Sequence, residues 1–184
     1  MGFQNSINSA LGAVGAAATL GKHISNQNKE LKMKKADAEA AEISATENEQ
    51  LAAEAENKAT TELEGKNLET IASFGVDKSL AIAKHLESQG IKPTNEAVAD
   101  AIYQQRTAET ANELVEAGHN VESMKRPSQK AKTRLAMAQK AQDSLNDELE
   151  ARQTLKFNKE EAIAKHRQAA ANLKAARARV GGSK

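Results

Sequence analysis

The chain has no cysteine and no tryptophan, and only 4 of its 184 residues are aromatic. The absence of cysteine excludes a disulfide framework and thiolate chemistry. Leu, Ile, Val and Phe together number 31, which is below the roughly 20% of residues at which packing one large core becomes difficult. Most of the 39% hydrophobic content is alanine, which favours helices but buries little area. The composition predicts an all-α protein whose long helices stabilise one another, within one chain or in a homo-oligomer.

The sequence contains no residue pattern typical of a catalytic or metal site. It has no G-x-S-x-G motif. The stretch GAAATLGKH has five residues between Gly15 and Gly21, where a phosphate-binding loop has four. Glu116 and His119 form one E-x-x-H unit, whereas di-metal helical bundles use two. We therefore expect no enzyme activity, no cofactor and no metal.

The net charge of +1 hides four blocks of opposite sign. Residues 22–35 carry a net charge of +4, and residues 36–64 carry −8. Residues 65–123 carry −4, and residues 124–184 carry +9. Blocks of this kind indicate separate electrostatic surfaces and not one mixed globular surface.

Glycine and proline divide the chain into four segments. An apolar, Gly/Ala-rich segment occupies residues 1–21, and an Ala/Glu/Lys-rich long helix is expected over 22–64. A helical hairpin is expected over 65–126, because apolar residues recur there every three or four positions on both sides of a turn. A long basic helix with a flexible tail is expected over 127–184.

Turn and cap residues support these segments. Gly90 suits the end of the first hairpin helix, and Thr94 or Asn95 can cap the second. Pro127 should end a helix, and Ser128 can cap the last one.

Two apolar patterns mark faces of the long helices. The helix over 22–64 has a thin apolar face, so it needs a partner or remains largely solvated. Its members are Leu31, Ala40, Ile43, Leu51 and Ala55. The last helix has a leaky heptad seam from Leu135 to Val180, with 8 apolar residues at 14 positions. Arg152, Lys156 and Lys159 also occupy the seam, and cations there favour a wide helical barrel or a surface facing nucleic acid over a dry dimer.

The opening segment, MGFQNSINSALGAVGAAATLGKH, carries one charged side chain. Residues 3–20 would make about 27 Å of helix, against a hydrocarbon core of roughly 30 Å. Polar residues form a stripe along this helix, which favours insertion into the membrane only when several copies come together. The alternative is a Gly/Ala-rich arm docked on a neighbouring subunit. The residues expected at the membrane are Phe3, Ile7, Leu11, Gly12, Val14, Gly15, Ala18 and Leu20. The small residues expected to pack helices together are Ser9, Ala13, Ala17 and Gly21.

Two basic clusters, KRPSQKAKTR and KAARAR, are candidates for contact with nucleic-acid phosphates. No aromatic residues interleave them, so such contact would be independent of base sequence. A solvated face, or docking on the acidic block of another subunit, explains the clusters equally well. The candidate residues are Lys125, Arg126, Lys130, Lys132, Arg134, Lys174, Arg177 and Arg179.

The start MGFQNSINSALGAVGAAA, followed by Ala/Glu/Lys/Gln-rich helix with few aromatic residues, resembles the DNA pilot proteins of small tailless bacteriophages. It is also similar in style to the internal DNA-ejection proteins of short-tailed phages. The resemblance covers residues 1–60 in pattern and the rest in composition. It implies a virion protein that moves to the host envelope, oligomerises into a helical conduit and helps the genome cross. Gly12, Gly15 and Gly21 would belong to its membrane-active start.

Two other classes of function fit the same sequence. One is a purely structural phage component, such as a scaffolding, portal-associated or connector protein, whose N-terminal arm docks on a neighbouring subunit. The other is a secreted pore-forming or translocator protein. In the leading interpretation the partners are other copies of the chain, portal or capsid proteins, the host membrane, and DNA without sequence specificity.

Overall fold

The computed structural model of the chain is all-α, as the composition predicts. It describes the backbone of residues 2–182 and the side chains of residues 25–182. The described residues form four helices and no strand. The helices are α1 (Gly2–Phe74), α2 (Val76–Ser88), α3 (Asn95–Glu122) and α4 (Gln129–Gly181).

The break between α1 and α2 lies at Gly75. Helix α1 continues through Gly65, beyond the expected end of the first long helix. Gly75 has φ +99° and ψ 140°, a region that is essentially restricted to glycine. Across the break, Ser79 Oγ donates a hydrogen bond to the Ile71 carbonyl at 3.1 Å. The helical face predicted over 68–86 is therefore divided between two helices.

Helices α2 and α3 form the expected hairpin. Gly90 has φ +77°, and its N–H donates to the Glu87 carbonyl at 3.0 Å. The N–H of Ile91 donates to the Leu86 carbonyl at 2.9 Å, which completes a Schellman motif. Thr94 Oγ1 accepts a hydrogen bond from the Ala97 N–H at 3.2 Å and caps α3. The turn chemistry predicted for Gly90 and Thr94 is confirmed.

The chain divides into two compact units. The first, which we call the hairpin unit, comprises residues 53–165, and the second, the paired-helix unit, comprises residues 1–52 and 166–184. The core of the hairpin unit is a small cluster of buried apolar residues. Its members are Leu86, Val98 and Ile102, with Ile71, Phe74 and Ile82 packed against them. This core sits where the end of α1 meets the hairpin.

Helix α4 follows the predicted seam. It begins after Pro127, and Ser128 Oγ accepts a hydrogen bond from the Ala131 N–H at 3.2 Å. Of the 14 seam positions, all but Ala170 and Arg177 are buried or half-buried. The seam faces other helices of the same chain, as the contacts below show. Three of its cations, Arg152, Lys156 and Lys159, pair with acidic groups of the chain's own helices, and the expectation of a barrel or a surface facing nucleic acid stays a prediction.

In the paired-helix unit, α1 and α4 run antiparallel. Glu49 Oε1 lies 3.3 Å from His166 Nε2, and Glu42 Oε1 lies 3.5 Å from Arg177 Nε. The acidic block thus contacts α4 of its own chain. The face of α1 turned toward α4 carries glutamate and alanine, and the glutamates Glu42 and Glu49 pair with Arg177 and His166 on α4. The thin apolar face of α1 stays largely solvated in the described chain, which is one of the two outcomes predicted for it. Its large members Leu31, Ile43 and Leu51 are 62–64% exposed, and Ala40 and Ala55 are also exposed.

Candidate functional site: the Arg152 network and the N-terminal surface

Arg152 is the most deeply buried charged side chain of the hairpin unit's described residues, at 4% exposure. It stands at a seam position of α4, and its guanidinium contacts both α1 and α3. Nε donates to Asn67 Oδ1 at 3.0 Å, Nη1 donates to Asp100 Oδ1, and Nη2 donates to the Glu96 carbonyl at 3.3 Å. Asn67 itself is only 2% exposed. One planar side chain therefore joins three helices, which suits the fixed fork of donors in arginine.

Asp100 is the acidic centre of this network. Besides Arg152, it accepts hydrogen bonds from Lys156 Nζ at 2.9 and 3.0 Å. Burial alone would favour the neutral acid, but the hydrogen bonds and positive charges of Lys156 and Arg152 outweigh it and lower the pKa of Asp100 below 3.8. Glu96 extends the network, because it lies 3.4 Å from Lys156 Nζ and 3.6 Å from Lys159 Nζ. The seam cations are thus held by acids of α3.

Tyr103, which is 3% exposed, packs beside the arginine. The guanidinium carbon of Arg152 lies 5.2 Å from the centre of its ring, and that of Arg106 lies 5.7 Å away, both within cation–π range. Its hydroxyl accepts a hydrogen bond from Thr70 Oγ1 at 3.3 Å. Arg106 also pairs with Glu148 on α4, with Nη1 to Oε2 at 2.8 Å. Tyr103 therefore connects the arginine network to α1.

Two cavities of the hairpin unit share Tyr103 in their walls. One has a volume of about 380 Å³ and is lined by Lys66, Thr70 and Arg106 among others. The other has a volume of about 530 Å³ and is lined by Arg152 and Lys156 among others. In the first, Lys66 is already paired with Glu69 at 2.9 Å, which raises the pKa of Lys66. The cations in these walls are paired with acids of the chain: Lys66 with Glu69, Arg106 with Glu148, and Arg152 and Lys156 with Asp100.

The network is suited to holding helices in register. Every buried side-chain nitrogen or oxygen in the described residues has a hydrogen-bond partner. The part of the chain with described side chains holds no cluster of three or more histidine, cysteine or acidic residues placed to bind a metal. Sequence reasoning marked Arg152, because it stands in the seam. It missed Asn67, Asp100 and Tyr103, whose positions are set by the pairing of helices.

The second candidate surface is the N-terminal part of α1. All 13 side chains of residues 25–37 are exposed. They include Leu31 at 64% and Met33 at 66% exposure. Glu42, five residues after this segment, pairs with Arg177 near the end of α4. The segment 25–37 carries four lysines and two acidic residues.

The residues predicted to meet the membrane fall within α1, but their side chains lie outside those that the structure describes. They are Phe3, Ile7, Leu11, Gly12, Val14, Gly15, Ala18 and Leu20, and the same holds for the packing residues Ser9, Ala13, Ala17 and Gly21. Among the residues that were described, no helix combines the length and apolar character needed to cross a membrane.

The predicted phosphate-contact residues occupy the two ends of α4. Lys125 and Arg126 lie in the turn before α4, and the remaining residues lie near its two ends. All eight are exposed. Arg134 Nη2 lies 3.2 Å from Glu116 Oε1, and Arg177 pairs with Glu42. The structure therefore keeps the two clusters in different compact units and gives each an acidic neighbour from its own chain.

Comparison with protein-family models, with curated proteins and with solved structures gave no match to this chain. The fold and these surfaces define an all-α protein in which a polar network fixes the register of the helices and a segment near the N-terminus of α1 is exposed.

Proposed function

We propose that this chain is a structural virion protein that takes part in phage genome delivery. In this proposal several copies assemble into a helical conduit, and the N-terminal part of α1 engages the host membrane. The alternative is a purely structural phage component whose N-terminal arm docks on a neighbouring subunit. The Gly/Ala-rich start and its resemblance to DNA pilot proteins support the first proposal.

The observation that carries the proposal is the exposed segment 25–37. Lys29, Lys32, Lys34 and Lys35 project from a helix that follows directly after the apolar start. Clustered lysines beside an apolar segment bind anionic lipid headgroups, at roughly 1 kcal/mol per residue near the surface. A membrane surface would supply both the apolar and the anionic partner.

Flotation of the full chain with vesicles tests the membrane part of the proposal. Vesicles of phosphatidylcholine with phosphatidylglycerol would be compared with vesicles of phosphatidylcholine alone. We expect flotation with the anionic vesicles only, weakened by added salt because the attraction is screened. Release of a trapped dye should accompany binding. Removal of residues 1–21 should abolish dye release, since the apolar segment is then lost.

A matched pair of variants separates specific from general charge effects. One variant replaces four lysines of the exposed segment with glutamine, namely Lys29, Lys32, Lys34 and Lys35. The control replaces four exposed lysines of α4 with glutamine, namely Lys130, Lys132, Lys140 and Lys174. We expect the first variant to lose flotation and the second to keep it. If the unaltered chain stays at the bottom of the gradient with both vesicle types, the membrane proposal fails and the docking-arm alternative takes its place.

Contact with DNA is a separate part of the proposal. Lys125, Arg126, Lys130 and Lys132 are exposed around the start of α4. Binding of single-stranded DNA oligonucleotides of different sequence should be equally tight and should fall steeply with salt. Replacement of these four residues with glutamine should reduce the salt slope. A marked preference among oligonucleotides would contradict a contact that is limited to phosphates.

A further inference from the structure

A stripe of exposed residues runs along the side of α1 that faces away from α4. Its members alternate in steps of four and three residues, the spacing of a coiled-coil seam. They are Lys29, Met33, Ala36, Ala40, Ile43 and Glu47. All six are exposed, with Met33 at 66% and Ile43 at 62%. The stripe thus has a basic end, an apolar and small middle, and an acidic end.

This charge order distinguishes between two ways of pairing the stripe with itself. In a parallel pair each residue faces its own copy, so Lys29 would meet Lys29 and Glu47 would meet Glu47. In an antiparallel pair centred between Ala36 and Ala40, Lys29 faces Glu47 and Met33 faces Ile43. The small alanines at the centre then let the two helices approach closely. Only the antiparallel order joins opposite charges and apolar residues at once.

We propose that two copies of the chain associate through this stripe as an antiparallel, two-fold symmetric pair. The pairing from residue 25 to residue 51 covers 27 residues, about 40 Å of helix. The inference stands without the proposed function, because it uses neither DNA nor lipid. Such a pair would be a soluble form that separates before several N-termini enter one membrane.

Disulfide cross-linking tests the orientation, and the absence of native cysteine makes every introduced thiol unique. Met33→Cys and Ile43→Cys are prepared as separate full-length proteins and oxidised alone and as a mixture. In the antiparallel pair the two copies of residue 33 are offset by ten residues, about 15 Å. That separation exceeds the roughly 7 Å that a disulfide can bridge between Cα atoms. We expect cross-linked dimer from the mixture and little from either variant alone.

The opposite results overturn the proposal. Cross-linking of either variant alone as well as the mixture would indicate a parallel or random encounter. Failure of the mixture to cross-link would show that this stripe is not the interface. Both positions are well exposed, so the substitutions should leave the fold intact, which circular dichroism verifies.

Charge exchange tests the register through the dimer dissociation constant, measured by sedimentation equilibrium. Lys29→Glu alone and Glu47→Lys alone should each weaken the pair roughly tenfold, since two exposed attractions become repulsions. The double variant should return to within about twofold of the unaltered chain, because the pairs are restored with reversed sign. Lys34→Glu is the control, because that side chain lies off the stripe, and it should have little effect. A double variant no tighter than the single variants, or a chain that stays monomeric throughout, refutes the pairing.

Discussion

Replacement of Arg152 by alanine should destabilise the hairpin unit strongly. The change removes donors to Asn67, Asp100 and the Glu96 carbonyl, and it leaves Asn67 with its oxygen unpaired at 2% exposure. Removing one partner of a buried ion pair costs about 3–5 kcal/mol. Here Asp100 is partly exposed and keeps Lys156, which reduces the electrostatic part. We therefore expect a loss of about 2–4 kcal/mol in the free energy of unfolding.

Urea unfolding followed by tyrosine fluorescence measures this loss. Tyr103 is the single tyrosine and the chain has no tryptophan, so the signal reports the hairpin unit alone. Arg106→Ala is the matched control, because it removes the other guanidinium near the same ring. Its ion pair with Glu148 is about one-third exposed on both sides, so its loss should cost about 1 kcal/mol or less. If the two variants lose equal stability, or if Arg152→Ala loses less than about 1 kcal/mol, the network does not hold the helices as argued.

Two further predictions concern pH and the helix break. The pKa of Asp100 is lower in the folded state, so the unfolded chain binds the extra proton and the stabilisation is present above the unfolded pKa. It should be lost as pH falls below 3.8 through the folded pKa, and Asp100→Asn should flatten that part of the stability curve measured by urea unfolding. Gly75→Ala should destabilise the chain by about 1–3 kcal/mol, because φ +99° is strained for any side chain. Gly65 lies within α1, and no atom lies within 4 Å of the carbon that Gly65→Ala adds, so this substitution should instead stabilise the chain by about 0.5–1 kcal/mol. Equal effects of the two substitutions on the thermal midpoint would contradict this explanation.

Local signals in the sequence predicted the helices and their turns well. The caps at Thr94 and Ser128 and the left-handed Gly90 depend only on nearby backbone geometry, which the sequence determines directly. The seam of α4 was predicted because its spacing repeats over a long distance. The break at Gly75 was not predicted as a helix end, since the apolar spacing on both sides continues as if the helix were unbroken.

The pairing of α1 was predicted less well, because tertiary contacts decided it. The thin apolar face with Ile43 and Leu51 was expected to need a partner or to stay solvated, and these side chains are exposed. The face toward α4 instead carries Glu42 and Glu49, whose partners His166 and Arg177 lie more than a hundred residues away. Rules based on the spacing of apolar residues do not treat glutamate as a residue that packs against another helix. The same reason hid Asn67 and Asp100, which become partners of Arg152 only after three helices have met.

Membrane binding and self-pairing both use the basic end of α1, and one comparison separates them. Lys29→Glu should weaken both, because it removes a positive charge that each partner would contact. Glu47→Lys should weaken only the antiparallel pair, since the added positive charge repels Lys29 of the second copy but attracts anionic lipid. Flotation and sedimentation of the same two variants therefore give different patterns. If Glu47→Lys weakened flotation as much as dimerisation, membrane binding would depend on the dimer, and the view that the pair must separate first would be wrong.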